Sequence, residues 1–358
     1  MPIFARIFAI GFAVLLLGVS GVDARATDTV ADGVAAYDDE EYAKAAAIFK
    51  GLAEAGDDDA QYYLGVLYQH GEGVEQSDGE AHKWYKKSAD QGDADAQYNL
   101  ALMFEEGMGI EQSTTEAFRL YSLAAEQGDA FSQNNLANMY DDGRAGETNH
   151  KKAFNLYQKS ARQGNTVAQH NLAGMYEAGS GTSQSYEQAA KWYRKAADSG
   201  YADSQHNLAL MYDDGQGVAQ SDTKALFWYT QAAEQDTPVS QYNLALMYDE
   251  GQGVDVDDEE AVKWYLKAAE NGYSQAQFNL AIMYDEGEGT EQSDQDALYW
   301  YRKAANQDVA RAQFNLGLMY YTGQGVKESD AKAIEWFKKA AALDLQEAKD
   351  ALETLAED

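Results

Sequence analysis

Apolar and polar positions recur along this chain with a period of 36 residues, and the period runs eight times without a slip. Each block carries a glutamine, a leucine three residues later and an aromatic four further on. The series runs Gln61-Leu64-Tyr68, Gln97-Leu100-Phe104, Gln133-Leu136-Tyr140 and so on to Gln313-Leu316-Tyr320. In the second block, Ala96 to Phe104 is apolar on nearly every side, the pattern of a helix buried on two flanks. Gly107-Met108-Gly109 then ends it, because glycine adopts the left-handed C-terminal conformation cheaply. Ser113, with Glu116 three residues on, is a capping box that opens a second helix. That helix places Ala117, Leu120, Tyr121, Ala124 and Ala125 on one side before Gly128 closes it. Ser77/Glu80, Ser185/Gln188 and Asp257/Glu260 repeat the signal. Small alanines facing bulky Tyr or Trp predict an antiparallel helix pair in close contact.

A unit of this length cannot bury its own apolar face, so it must stack on its neighbours. The expected fold is all-α, a solenoid of antiparallel helix pairs, and such arrays mostly serve as extended binding surfaces. Residues 60–343 hold the eight repeats. Ala45, Ile48, Phe49, Ala53 and Gly56 sit one period before Ala81, Trp84, Tyr85, Ala89 and Gly92, so residues 27–59 are expected to form an N-terminal capping helix pair. Ala348 and Leu352 continue the register of Ala312 and Leu316, which makes residues 344–358 a C-terminal capping helix.

The pattern A-Q-x-N-L-x-x-M-Y-x-x-G-x-G-V followed by A-x-x-W-Y-x-K-A-A-x-x-G resembles the Sel-one-like repeat (SLR) family, a 36-residue relative of the tetratricopeptide repeat. The resemblance covers residues 60–342. It implies right-handed superhelical stacks of helix pairs that act as scaffolds or adaptors, often exported in bacteria, in envelope signalling or contact with host cells. Some secreted relatives carry one disulfide per repeat; this chain has no cysteine, so their properties do not transfer. Its departures are local. The third repeat has Gly143-Arg144-Ala145-Gly146 in place of Gly-x-Gly, and the fifth and seventh replace the closing glycine by Asp236 and Asp308.

Composition narrows the partners. The 358 residues include 60 acidic against 27 basic side chains, a formal net charge of −33. Such a surface repels nucleic acid and anionic membrane and favours basic partners. With 45% hydrophobic residues and two prolines the chain is not disordered. Residues 1–26 read as a signal peptide: Arg6, an apolar run from Ile7 to Val19, and an A-x-A cleavage site at Ala24-Arg25-Ala26, with cleavage after Ala24 the close alternative. The other reading, an uncleaved anchor, meets a run short of the roughly 20 apolar residues a spanning helix wants. The expected location is periplasmic or secreted, with no stable membrane insertion after cleavage.

Several residue series ask for a role. Six tryptophans (Trp84, Trp192, Trp228, Trp264, Trp300, Trp336) share a position that Leu120 and Leu156 fill elsewhere, so they read as packing. Asn99, Asn135, Asn171, Asn207, Asn243, Asn279 and Asn315 form a polar ladder inside apolar helices. At about 100° per residue each lies well off the Gln/Leu stripe, toward the inner groove. An amide there can pair with an extended peptide backbone, as the equivalent asparagine does in related tetratricopeptide arrays, or it can tie neighbouring repeats together. Seven residues further on sit Glu106, Asp142, Asp214, Glu250 and Glu286, each preceded by another acid. Carboxylates in a last helical turn oppose the helix dipole at about 0.3–1 kcal/mol each, so helix stability did not select them. They form a solvated acidic rim, or a groove for a basic extended segment; a third reading, calcium at the Asp-Asp-Gly and Asp-Glu-Gly turns, lacks the calcium-loop spacing.

Enzyme signals are thin. Ser221-Asp222-Thr223-Lys224 and Ser329-Asp330-Ala331-Lys332 match S-x-x-K, yet both serines occupy the helix-start position of Ser77, Ser113 and Ser293. His170 and His206 are one period apart, at a position where Tyr98, Tyr242, Phe278 and Phe314 stand elsewhere, which speaks against a metal pair. No cofactor is called for. The expected function is a non-enzymatic protein–protein interaction scaffold whose concave face, lined by the ladder and the acidic turns, holds a basic or extended partner segment. A secreted effector that binds host proteins is the alternative, and a cell-wall or β-lactam hydrolase the disfavoured one.

Overall fold

The computed structural model describes residues 28–144 and 146–357. The expected signal peptide, apart from which the chain would begin at Thr27, lies outside the described residues. Among these the regular structure is entirely helical. Helices α1 (Val30–Asp38) and α2 (Tyr42–Ala55) precede the repeats. The eight pairs are α3 (Asp58–His70) with α4 (Asp78–Gln91), α5 (Ala94–Glu106) with α6 (Thr114–Glu126), α7 (Ala130–Asp141) with α8 (His150–Arg162), and α9 (Thr166–Ala178) with α10 (Tyr186–Asp198). They continue as α11 (Ala202–Asp214) with α12 (Asp222–Ala233), α13 (Pro238–Glu250) with α14 (Asp258–Glu270), α15 (Ser274–Glu286) with α16 (Asp294–Ala305), and α17 (Ala310–Thr322) with α18 (Asp330–Ala342). Helix α19 (Gln346–Glu357) follows.

The chain forms two compact units. One runs to Ala96 and takes in Met108–Glu111; the other comprises Gln97–Gly107 and the chain from Gln112 onward. Within the first, α1 packs on α2, α2 on α3 and α3 on α4. Within the second, each helix from α6 to α18 packs on the next in sequence. This is the all-α solenoid of antiparallel helix pairs that the periodicity predicts.

Packing follows the alternation of small and large residues. In the fifth repeat Leu208, Ala209 and Met211 are buried against Ala225, Trp228, Tyr229 and Ala232. Ala209 and its repeat equivalents Ala245 and Ala281 are fully buried. At Gly317, the same position, a Cβ would lie 2.6 Å from the Phe337 ring. The helices approach too closely there for anything larger, and an added methylene or two would cost about 1–3 kcal/mol.

The invariant glutamine is a staple. Its Nε2 donates to the backbone carbonyl eight residues earlier, as Gln61 does to Ala53 (3.1 Å), Gln205 to Ala197 (3.2 Å) and Gln277 to Ala269 (3.0 Å). Its Oε1 accepts from an amide thirty residues later: Gln91 to Gln61 (3.0 Å), Gln163 to Gln133 (2.9 Å), Gln235 to Gln205 (2.7 Å), Asn271 to Gln241 (3.1 Å) and Gln307 to Gln277 (2.8 Å). Ser199 and Leu343 interrupt that second series, and it is the oxygens of Gln169 and Gln313 that are left buried without a partner. A polar group sealed in this way costs about 1–3 kcal/mol when unsatisfied, so the staple is strong where complete and a weak point where not.

The Gly-x-Gly turn has two jobs. Its first glycine takes the left-handed conformation that ends the helix, as Gly251 does at φ 70°. Its second passes close to the start of the preceding pair's second helix: at Gly253 a Cβ would sit 2.6 Å from the Asp222 carbonyl carbon. The two closing aspartates hold φ 56° and 58°, a strained region for a side chain with a Cβ. The Asp308 carboxylate gains a bond from Gln313 (3.2 Å) in return.

Candidate partner-binding face

From Asn135 onward the asparagine ladder lies at the join between successive pairs. Asn99 is 7% exposed, and the other six are half-buried. Asn279 Nδ2 donates to the Tyr265 hydroxyl on α14 (3.1 Å). Asn135, Asn207 and Asn315 meet Tyr121, Tyr193 and Tyr301 in the same register. In the third and fourth repeats Asn171 Nδ2 instead reaches Asn134 (3.3 Å) and Asn138 (3.4 Å). Of the two readings of the ladder, these bonds favour the tie between neighbours.

The tyrosines connect the ladder to the acidic turns. Tyr121 donates to Glu105 (2.6 Å), Tyr193 to Glu177 (2.8 Å), Tyr265 to Asp249 (2.9 Å) and Tyr301 to Asp285 (3.4 Å). Burial, and then these carboxylates, hold the Tyr121 and Tyr193 hydroxyls well above the ordinary tyrosine range. Where the series is complete the join is an Asn–Tyr–carboxylate chain; Glu105, Asp249 and Asp285 are the first acids of their pairs, and Glu177 stands alone before Ala178. The second acids, Glu106, Asp142, Asp214, Glu250 and Glu286, are exposed. The structure thus separates residues that sequence grouped together: the asparagines and first acids are engaged internally, and the second acids face solvent.

Sequence reasoning noted the first acids only as neighbours of the second, and did not single out the tyrosines. A signal existed. Tyr85 to Tyr301 recur at one position with Gln or an acid sixteen residues earlier, and both are lost together at Phe337 and Tyr321.

The series has two exceptions. Tyr157 turns to Asn138 (2.5 Å) while Asp141 takes His150 Nδ1 (2.7 Å). Tyr229, 1% exposed, has a hydroxyl with no partner of good geometry, although Asn243 lies beside it. Next to it, Asp213 is pushed above the ordinary carboxylate range by burial and then by Asp214, Asp222 and Glu250.

Arg144, in the irregular turn of the third repeat, also falls on this rim. Its Nη1 contacts Glu105 Oε1 (2.5 Å) and its Nε contacts Asp142 Oδ2 (2.6 Å).

The remaining series are accounted for by packing. Lys ammoniums lie over the tryptophan rings, 3.9 Å above Trp84 and Trp264 and 3.8 Å above Trp336, a cation–π arrangement. Lys224 and Lys332 sit over Tyr212 and Tyr320, while the Ser329 hydroxyl accepts from the Lys332 backbone as a helix cap. Neither S-x-x-K brings its ammonium to its serine. His170 and His206 bond Ser204 and Ser240 of the next repeat at 2.9 Å each, and burial lowers both imidazole pKa values. Among the described residues no three His, Asp or Glu side chains are placed to hold a metal ion. Nor is any described helix long and apolar enough to cross a membrane.

Consecutive helix pairs repeated at constant length define a class: the helical-repeat proteins. The sequence profile described as Sel1 repeat matches eight consecutive segments, from 58–93 through 310–345, so the chain belongs to the Sel1 repeat family. Chains of this family are generally protein–protein interaction scaffolds and typically non-catalytic. Among solved structures it is similar to a Sel1 repeat protein from Oxalobacter formigenes, with 29% identity over 95% of this chain and 97% of that one, at a TM-score of 0.65. It is also similar to c5321, a protective antigen of uropathogenic Escherichia coli with an SLR fold: 33% identity, 92% and 79% covered, TM-score 0.52. Among curated proteins, none matches it.

Proposed function

We propose that the chain is an exported scaffold that holds a basic or extended segment of a protein partner along the face carrying the ladder and the acidic turns, in envelope signalling or regulation. The observation that carries this reading is the exposed acid recurring at one repeat position, at Glu106, Asp142, Asp214, Glu250 and Glu286. Five carboxylates on a shared position oppose their helix dipoles, and the internal bonds described above leave them facing outward. The mechanism is a sum of modest contacts, each netting about 0.5–1.5 kcal/mol, so several repeats must engage together. Export rests on the apolar N-terminal segment with its A-x-A site.

The test is a pull-down from envelope extract, with the chain from Thr27 as bait and the five-fold neutralised variant (E106Q, D142N, D214N, E250Q, E286Q) as control. A partner retained by the first, lost with the second and released by salt is expected, since exposed charges are screened beyond about 10 Å at 0.1 M. Equal recovery on both baits would move the interface to another face. A second reading, a secreted effector acting on host proteins, draws on the likeness to the protective antigen. Finding the protein in culture supernatant rather than the periplasmic fraction would favour it.

A further inference from the structure

The rim contains one basic side chain already in place. Arg144 lies across Glu105, the first acid of the second repeat, and Asp142, the second acid of the third. Three periods on, the equivalents of Glu105, Asp142, Tyr121 and Arg144 are Asp213, Glu250, Tyr229 and Gln252. The two places differ in what they satisfy. At the first, Glu105 takes both the tyrosine hydroxyl and the guanidinium. At the second, Gln252 bonds Glu250 (2.7 Å). No cation lies within ion-pair distance of Asp213, Asp214 or Glu250 among the described residues. The buried Tyr229 hydroxyl beside them makes no hydrogen bond of good geometry, with Asn243 its nearest amide.

We propose that Asp213 and Glu250, on the rim over the buried Tyr229, receive the guanidinium of an arginine from a protein partner, in the way Arg144 occupies Glu105 and Asp142. The inference rests on the scaffold reading above and specifies its partner chemistry. A guanidinium is planar, with five N–H donors in a fixed fork, and spans two carboxylates from different repeats. One N–H would go to Asp213 and one to Glu250, while the buried Tyr229 hydroxyl beneath is left to donate to Asp213, as Tyr121 donates to Glu105. A lysine ammonium is a compact, strongly hydrated point charge and lacks the planar fork that matches two carboxylates at once. The position of the partner arginine is set by the spacing of two repeats rather than by net charge, so this is a specific seat within a general acidic field.

The experiment is a fluorescence-anisotropy titration of the purified protein with labelled alternating Gly-Arg, Gly-Lys and Gly-citrulline peptides, repeated with D213N/E250Q and with the exposed control pair D198N/E270Q. Circular dichroism confirms that each variant is folded. The arginine peptide should bind about tenfold tighter than the lysine peptide, and D213N/E250Q should weaken it about tenfold or more while the control pair changes it little. Calorimetry on Arg144→Ala, which empties the Glu105–Asp142 seat, should add one peptide per chain. Equal binding of the arginine and lysine peptides, or equal weakening by both variant pairs, would overturn the seat. If D213N/E250Q leaves binding intact but the five-fold rim variant abolishes it, the acidic scaffold stands and the arginine seat falls. If neither variant matters, both fall.

Discussion

The early and late repeats join their helix pairs by different means. In the early ones a polar side chain caps the first helix: Asp57 accepts from Ala60, Asp93 from Ala96, Asp129 from Ser132 and Asn165 from Ala168. From the fifth repeat onward that position holds Tyr201, Thr237, Tyr273 and Val309, and none makes a side-chain cap bond. At two of these four positions aromatic packing takes the place of the cap. Tyr201 meets the His170 ring at 5.1 Å and Tyr273 meets Tyr242 at 5.0 Å. The staple's second bond changes less evenly: Gln91, Gln127 and Gln163 supply it early, Gln235, Asn271 and Gln307 supply it later, and it is missing at Ser199 and Leu343. One backbone geometry thus tolerates two chemistries at its joins. An N-cap is worth about 1 kcal/mol, and an aromatic pair about 0.5–1.5 kcal/mol beyond its buried area.

The largest effect should come from the aromatic joins. Tyr273→Ala is expected to cost about 2 kcal/mol, Asn165→Ala about 1 kcal/mol, and Thr237→Ala only a few tenths, since its hydroxyl caps nothing. Urea unfolding gives the totals, and hydrogen exchange should place the losses at α15 and α9. Equal costs at Asn165 and Thr237 would dissolve the distinction between the two regions.

A carboxylate cap also brings a pH dependence that an aromatic join lacks. Burial, then the Asp95, Asp59 and Asp58 charges, raise Asp93 to about 6 despite its bond from Ala96. In the unfolded chain an aspartate titrates near 4. The folded state therefore binds this proton more tightly, and the associated stability is present below about pH 4 and lost as pH rises through about 6. At pH 7 Asp93→Asn, which still caps, should be more stable than the parent by about 1 kcal/mol after allowing for partial solvent screening. The gain should vanish by about pH 4. His170 and His206, whose pKa values burial lowers, act with the opposite sign: their contribution is present above about pH 6.5 and lost on acidification. Thermal unfolding across this pH range separates the two, and a pH-independent gain for Asp93→Asn would remove the carboxylate from the account.

The smallest gain tests the staple. Ser199→Gln should give the buried Gln169 oxygen its missing donor and stabilise by about 0.5–1 kcal/mol, with Leu343→Gln doing the same for Gln313. No change in the urea midpoint would mean that the oxygens are satisfied in another way.

The fold was legible because its cause is repeated. One helix pair with an unburied face, copied at constant length, admits only stacking, and the cap and Gly-x-Gly signals mark each helix end. The candidate face was legible in part. Periodicity found the asparagines and both acids of each turn, yet it could not divide them. Glu105 and Glu106 are adjacent and chemically alike, and only the arrival of the Tyr121 hydroxyl on one of them makes it a structural partner and leaves the other in solvent.

The sequence by itself determined the class of fold, the number of repeats, the ends of most helices and the acidic character of the surface, since these depend on local conformation, on spacing and on summed charge. Tertiary structure decided which polar groups are consumed within the array. Tyr–carboxylate bonds span sixteen residues, staple bonds thirty, and Arg144 reaches back thirty-nine to Glu105. Such bonds form only where stacking brings distant side chains within 3 Å or so of each other, and a buried polar atom must take whichever partner the stack supplies.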